Sequence, residues 1–203
     1  MRMNRSIAIA FTALLFSGCI ASAQAPAPAA DPVKAIGQFA QRFEGNLMAL
    51  AQAMPADKYS FAPSSDIFKP GSPAKFDTVR TFAQQLTHVA DMAFRSYAPF
   101  GIKPDPSIDL KNVNNITSKD EVIKILQASF DYQNQVLATL TPENAFTPQG
   151  ARGTTLMSAI VLVMNDDGDH YGQLVEYGRM NGVIPPSTER QMQMQSKPAA
   201  PAK

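Results

Sequence analysis

The sequence predicts an all-α protein, a four-helix bundle preceded by a signal peptide. Four long segments repeat apolar residues at the three- and four-residue spacing of a helix face. No segment carries the alternating pattern of a strand, and no internal repeat is found. The chain has 203 residues, 45% hydrophobic and 17% charged, which is enough for one domain with a full core and too apolar for general disorder. Four amphipathic helices of this length satisfy one another's apolar faces as a bundle.

The first residues have the parts of a secretory signal. Arg2 and Arg5 give a charged start, and the apolar run from Ile7 to Phe16 is too short to span a bilayer. Ala21-Ser22-Ala23 before Gln24 is a small-x-small cleavage site, so residues 1–23 read as the signal peptide. Its removal leaves 16 basic residues against 17 acidic ones, a net charge of −1 in place of +1. Nothing in that balance favours a nucleic-acid partner. Phe16-Ser17-Gly18-Cys19 also resembles a bacterial lipobox, in which Cys19 is lipidated. Phe16 stands where that motif has leucine, which puts soluble export first. The domain is expected outside the cytoplasm on either path: periplasmic or secreted, or lipid-anchored through Cys19. Cys19 is the one cysteine, so no internal disulfide forms.

Residues 24–31 are an Ala/Pro-rich linker. The bundle is expected over 32–186. Asp31 caps a first helix with Pro32 at its first position, and Val33, Ile36, Phe39, Ala40, Phe43, Leu47 and Leu50 form its stripe. Residues 56–75, with Pro63, Pro70 and Pro73, are a loop packed over an end of the domain. The second helix is expected over 76–97, with Val79, Phe82, Leu86, Val89, Ala93 and Tyr97 inward and Pro99 as its stop. Ser118 opens the third with the S-x-x-E pattern that ends at Glu121. Its buried face holds Val122, Leu126 and Phe130, then Val136 or Gln133, and Leu137 or Leu140; Thr141-Pro142 stops it. The fourth runs from about 153–155 to Asn181-Gly182, with Gly182 as C-cap and Pro185-Pro186 beyond. Residues 187–203 are polar and expected to be a disordered tail.

Chemistry concentrates in Met164 to Gly172, which packs three aspartates and a histidine between apolar flanks. Polar residues at that density in a core-forming helix are costly unless paired or bound. Asp166 and His170 are four residues apart and share a helix face. His88, on the second helix, is the one other histidine. Two imidazoles and a carboxylate with open positions suit Zn²⁺, Ni²⁺, Mn²⁺ or Fe²⁺. A plainer reading fits the same spacing. On a wheel of ~100° per residue His88 falls opposite Leu86 and Tyr97, and Asp166 and His170 sit at the edge of their stripe. A D-x-x-x-H pair is then an ordinary polar contact, and the divalent metal is absent. Mid-helix Gly168 costs about 1 kcal/mol relative to alanine.

The stretch from Asp166 to Ser187, D-D-G-D-H-Y-G-Q-L-V-E-Y-G-R-M-N-G-V-I-P-P-S, resembles the closing motif of the DinB superfamily in its DinB/YfiT-like metalloenzyme branch. That motif typically reads H-D-N-E-H-Y-G-x-L-V-x-Y-x-R-x-x-G-x-x-P-P-S. Leu86 to Asp91 resembles the family's L-x-H-V-A-D element, and Met54 to Pro63 its M-P-A-x-x-Y-x-F-x-P element. The resemblance implies a four-helix bundle and a divalent metal held by three residues, which here are His88, Asp166 and His170. Asp166 stands where the family has histidine, and Gly168 where it has asparagine. Asp167 matches the family aspartate and is expected beside the ligands rather than among them.

The resemblance also implies a metal-dependent enzyme of the transferase or hydrolase type, with Tyr171 or Asp167 assisting by hydrogen bonding. Characterised relatives transfer or isomerise with low-molecular-weight thiols, which are cytosolic, whereas a hydrolase fits an exported protein better. The alternative is a non-catalytic binding bundle with a degenerate site. The partners expected are a small-molecule substrate and a second copy in a homodimer; membrane contact requires lipidation of Cys19.

Overall fold

The computed structural model describes residues 31–149 and 153–196. The expectations for residues 1–30, Cys19 included, and for 197–203 lie outside the described residues. Among those described there are five α-helices and no strand: α1 Pro32–Ala53, α2 Phe82–Tyr97, α3 Lys119–Ala138, α4 Leu156–Met180 and α5 Pro186–Ser196. None is long and apolar enough to cross a membrane.

Helix ends follow local chemistry. The Asp31 carboxylate accepts from Val33 N at 2.9 Å and so starts α1. The second helix begins six residues later than the periodicity predicts. Thr81 and Gln84 close a reciprocal capping box, with Thr81 N donating to Gln84 Oε1 at 2.9 Å and Gln84 N to Thr81 Oγ1 at 3.2 Å. Phe82 N and Ala83 N are taken by the carbonyls of Phe61 and Tyr59. Residues 76–81 are therefore loop, and Val79, expected inward, is exposed. At α3 the Ser118 hydroxyl donates to Glu121 Oε2 at 2.6 Å instead of accepting a backbone bond, so the cap position holds but the box does not form. Thr155 and Ser158 box the start of α4. Its end is a Schellman turn: Gly182 has φ +77°, Gly182 N donates to Arg179 O, and Val183 N donates to Gly178 O.

The segment after Pro185, expected to be disordered, is helical through Ser196. It packs against α1, and Arg190 donates to Asn46 Oδ1 at 2.6 Å. No α5 side chain is buried. Its order comes from long-range polar contacts that an apolar stripe cannot signal.

α2 packs chiefly against α3 and α4, and α1 against the same two, so α1 faces α2, and α3 faces α4, across the bundle diagonals. The loop from Met54 to Thr81 crosses one end. There Tyr59 is buried, its hydroxyl donates to Ala51 O at 2.7 Å, and its ring meets Phe82 edge-on. Two apolar clusters fill the interior. Ala40, Phe94, Tyr97, Val136, Leu156, Ile160 and Met164 belong to one. Leu47, Leu50, Leu86, Phe130, Leu174 and Tyr177 belong to the other. The open alternatives resolve to all four, since Gln133, Val136 and Leu137 on α3 and Leu140, two residues past its end, are all buried. Phe39, expected inward, is half exposed.

The clusters part where α1 passes from Ala40 to Leu47 and α4 from Met164 to Leu174. Polar side chains occupy that gap: Glu44 on α1 and Asp166, Asp167 and His170 on α4. Each large apolar side chain buried on either side is worth about 1.5–3 kcal/mol. A polar layer forgoes that gain, and its own desolvation must be offset by specific partners.

Candidate metal centre

α2 supplies His88 to this layer, and α4 supplies Asp166 and His170 one turn apart. The structure brings the three together. Asp166 Oδ1 lies 3.5 Å from His170 Nε2 and 3.7 Å from His88 Nε2. The imidazoles meet edge to face with centroids 4.8 Å apart. One donor atom from each residue lies within 4.8 Å of the others. His88, placed opposite the buried stripe by the helical wheel, faces His170 instead. α2 is buried against two helices, so one stripe does not describe it.

Three observations test whether a divalent cation fits. The carboxylate–imidazole distances exceed the roughly 2.7–3.2 Å of a good hydrogen bond. They are close to the roughly 3–3.5 Å that separates ligands each about 2.0–2.2 Å from one metal. Asp166 Oδ2 is buried and has no hydrogen-bond partner among the described residues. The third observation is the hold on His170. Gln85 Nε2 donates to Gln173 Oε1 at 2.8 Å, which turns Gln85 Oε1 to His170 Nδ1. That nitrogen must then carry the proton, leaving the Nε2 lone pair on the side of Asp166. Gln173 is held in turn by Asp169 Oδ2 at 2.9 Å. Such outer contacts fix a ligating imidazole in the right tautomer. The donor set fits a divalent cation.

The site is open on one side. Side-chain exposure falls from 23% at His88 to 17% at Asp166 and 6% at His170. A cleft of about 380 Å³ has His88, Arg80, Gln84 and Asn114 in its wall. A larger cavity of about 590 Å³ between α1 and α4, lined by Phe39, Phe43 and Gly168, contains none of the three. Burial lowers the His88 pKa, the Arg80 charge lowers it further, and Asp166 opposes both. A lowered pKa favours the neutral imidazole that a metal requires.

Asp167 points away from the triad into the bundle and is 1% exposed. Burial, then the charges of Asp166 and Glu44, push its carboxyl up to about 8, against a Gln133 hydrogen bond. Its Oδ2 has no partner among the described residues. Glu44 accepts from Gln133 Nε2 and Asn134 Nδ2, both at 3.0 Å, and Tyr97 OH donates to Gln133 Oε1 at 3.0 Å. Burial raises the Glu44 pKa in spite of those bonds. Tyr171, expected to assist the centre, turns instead to Ser187 at the start of α5, where the two hydroxyls hydrogen-bond. Gly168 has a packing reason: a Cβ there would lie 3.2 Å from Phe43 Cε1. Gln85, Glu44 and Arg80 escaped the sequence reading. Gln85 had a weak signal, a polar residue three before His88 and one before Leu86 of the apolar stripe.

The sequence profile of the DinB superfamily matches residues 40–174. The chain belongs to the DinB superfamily. The match covers all of α2 and α3 and most of α1 and α4, so it contains all three candidate ligands. A conserved protein of Enterococcus faecalis has a similar fold, with a TM-score of 0.51 at 14% identity, over 74% of this chain and 97% of that one. That likeness concerns the fold alone. No curated protein matches the chain. The DinB elements divide into two roles. His88 and His170 line the centre, whereas Tyr59, Tyr171, Tyr177 and Ser187 tie loops and helix ends to the bundle.

Proposed function

We propose that this DinB protein is an exported, divalent-metal-dependent enzyme of the transferase or hydrolase type that acts on a small molecule. His88, Asp166 and His170 would hold the metal, and a bound divalent cation supplies a Lewis acid that lowers the pKa of a coordinated water or thiol. The observation that carries the reading is the fixed His170 tautomer, with its Nε2 lone pair 3.5 Å from Asp166 Oδ1 and the second oxygen of that carboxylate, Oδ2, buried without a hydrogen-bond partner among the described residues. The protein's own contribution is positional. Gln85 orients His170, Asp166 brings one negative charge, and the apolar clusters on either side exclude water from all but the His88 face. Zn²⁺, Ni²⁺, Mn²⁺ and Fe²⁺ all accept this donor set, and the carboxylate shifts the preference toward harder cations relative to three imidazoles.

A second reading rests on Asp166 Oδ1 lying near both imidazoles. Protonated histidines would pair with it without a metal, leaving a non-catalytic binding bundle. Elemental analysis of the purified protein separates the two. About one divalent ion per chain is expected, and it should be lost in His170→Ala and in Asp166→Ala. Metal-free protein that takes up none of the four ions on titration would leave the second reading standing.

A further inference from the structure

The cleft beside His88 has a definite chemistry. None of its lining side chains is a carboxylate, and Val79 is the one large apolar group among them. Arg80 supplies a cation. Among the described residues its guanidinium joins no ion pair. The contrast with Arg95 is informative: that guanidinium is spent on Asp91, with Nε 2.7 Å from both carboxylate oxygens. Arg80 is exposed, but its backbone is not free. Tyr177 OH donates to Arg80 O at 3.0 Å, and the next residue, Thr81, is the N-cap of α2. The backbone from which the side chain extends is thus fixed at the cleft.

Two neighbours are similarly set. Gln84 Oε1 is taken by Thr81 N, which leaves its amide N–H groups as donors to the cleft. Asn114 Nδ2 donates to Asp91 Oδ2 at 2.9 Å, fixing the opposite wall. Arg80 and His88 line the same cleft, which places the guanidinium on the open side of the metal centre. A planar guanidinium with free N–H groups beside an amide donor is matched to a carboxylate or phosphate.

We propose that this cleft is the anion subsite of the metal centre, and that Arg80 anchors a carboxylate or phosphate group of a small organic substrate while the reacting group lies at His88, Asp166 and His170. The proposal rests on the metal-centre reading and names the substrate class for it: a small organic anion.

Calorimetric titration of the Zn²⁺-loaded protein with succinate, inorganic phosphate and neutral succinamide tests it, in the wild type and in Arg80→Gln at equal metal content. Succinate or phosphate should bind the wild type and bind Arg80→Gln roughly 10- to 100-fold more weakly, the loss expected for one charge-assisted contact. Succinamide should bind neither. Tighter succinate assigns a carboxylate, and tighter phosphate a phosphoryl group. Equal anion affinity in both proteins, or no anion binding to the metal-loaded wild type, overturns the proposal. A protein that takes up no metal instead defeats the metal reading, and the same titrations on metal-free protein then decide the role of Arg80. A loss in Arg80→Gln supports the anion subsite, and no difference overturns it.

Discussion

His170 and His88 present Nε2 to the same carboxylate oxygen from adjacent helices, yet they are held very differently. His170 is almost buried and its Nδ1 is engaged by Gln85, which Gln173 and Asp169 hold in turn. His88 is about four times more exposed, and its Nδ1 has no hydrogen-bond partner among the described residues. One imidazole is preorganised at the bottom of the site, and the other is free to adjust at its mouth. In the proposed metal site this arrangement would give a fixed anchor where water is excluded and an adjustable ligand on the open side. The titratable groups divide along the same line: the Arg80 cation stands on the His88 side, and Asp167 and Glu44, both with raised pKa values, on the inner side.

Gln85→Leu breaks that difference most directly, because it removes the contact that sets the His170 tautomer while leaving every candidate ligand in place. Metal affinity, read by competition against a chromogenic chelator, should fall by about 10- to 100-fold with helical content preserved. An unchanged affinity would mean that His170 needs no holding and that the two histidines are equivalent after all.

Asp167→Asn sharpens the comparison from the inner side. The folded protein holds a proton on Asp167 up to about pH 8, whereas the unfolded chain releases it near the ordinary carboxylate value. Over that interval the folded state binds more protons than the unfolded one, so this group's stabilising contribution is complete at low pH and is lost as pH rises toward 8. Asparagine has no proton to lose. Melting curves of the metal-free proteins should nearly coincide at about pH 4 and separate at about pH 9, with the variant higher by on the order of 10 °C. Parallel curves across that range would show that Asp167 is ionised in the fold.

The same contrast explains what could be read from the sequence. α1, α3 and α4 were legible because each has a start signal and an apolar stripe. α2 was legible from Phe82 to Tyr97, where Phe82, Leu86, Val89, Ala93 and Tyr97 are buried as expected, but its start was not, because it is fixed by carbonyls of Tyr59 and Phe61, far back in the chain. α2 is also buried around most of its circumference. That also hid the direction of His88: a wheel referenced to Leu86 and Tyr97 assumes a single buried face. α5 was missed because its order depends on Arg190 reaching Asn46 rather than on apolar burial. That His88, Asp166 and His170 come together was legible from motif and spacing. The residues that act through them were not, since Gln85 meets His170 across 85 positions of sequence.

Gly168→Ala is the mildest probe, and it asks whether the segment between the two aspartates and His170 supports the site or merely packs. A Cβ at 168 would lie 3.2 Å from Phe43 Cε1 and 3.4 Å from its Cζ, so the ring must move by a few tenths of an ångström. Phe43 borders the open cavity between α1 and α4, which leaves room for that shift. Alanine also recovers roughly 0.8–1.0 kcal/mol of helix propensity at a mid-helix position. The gain should outweigh the displaced ring, raising the melting temperature by about 2–4 °C at most for a chain of this size. Metal affinity should not change, because residue 168 faces Phe43 and α1 rather than the triad. A tenfold loss of affinity would instead show that the backbone around Gly168 sets the geometry of Asp166 and His170, and that the α1 side of the bundle is as much a part of the centre as the His88 side.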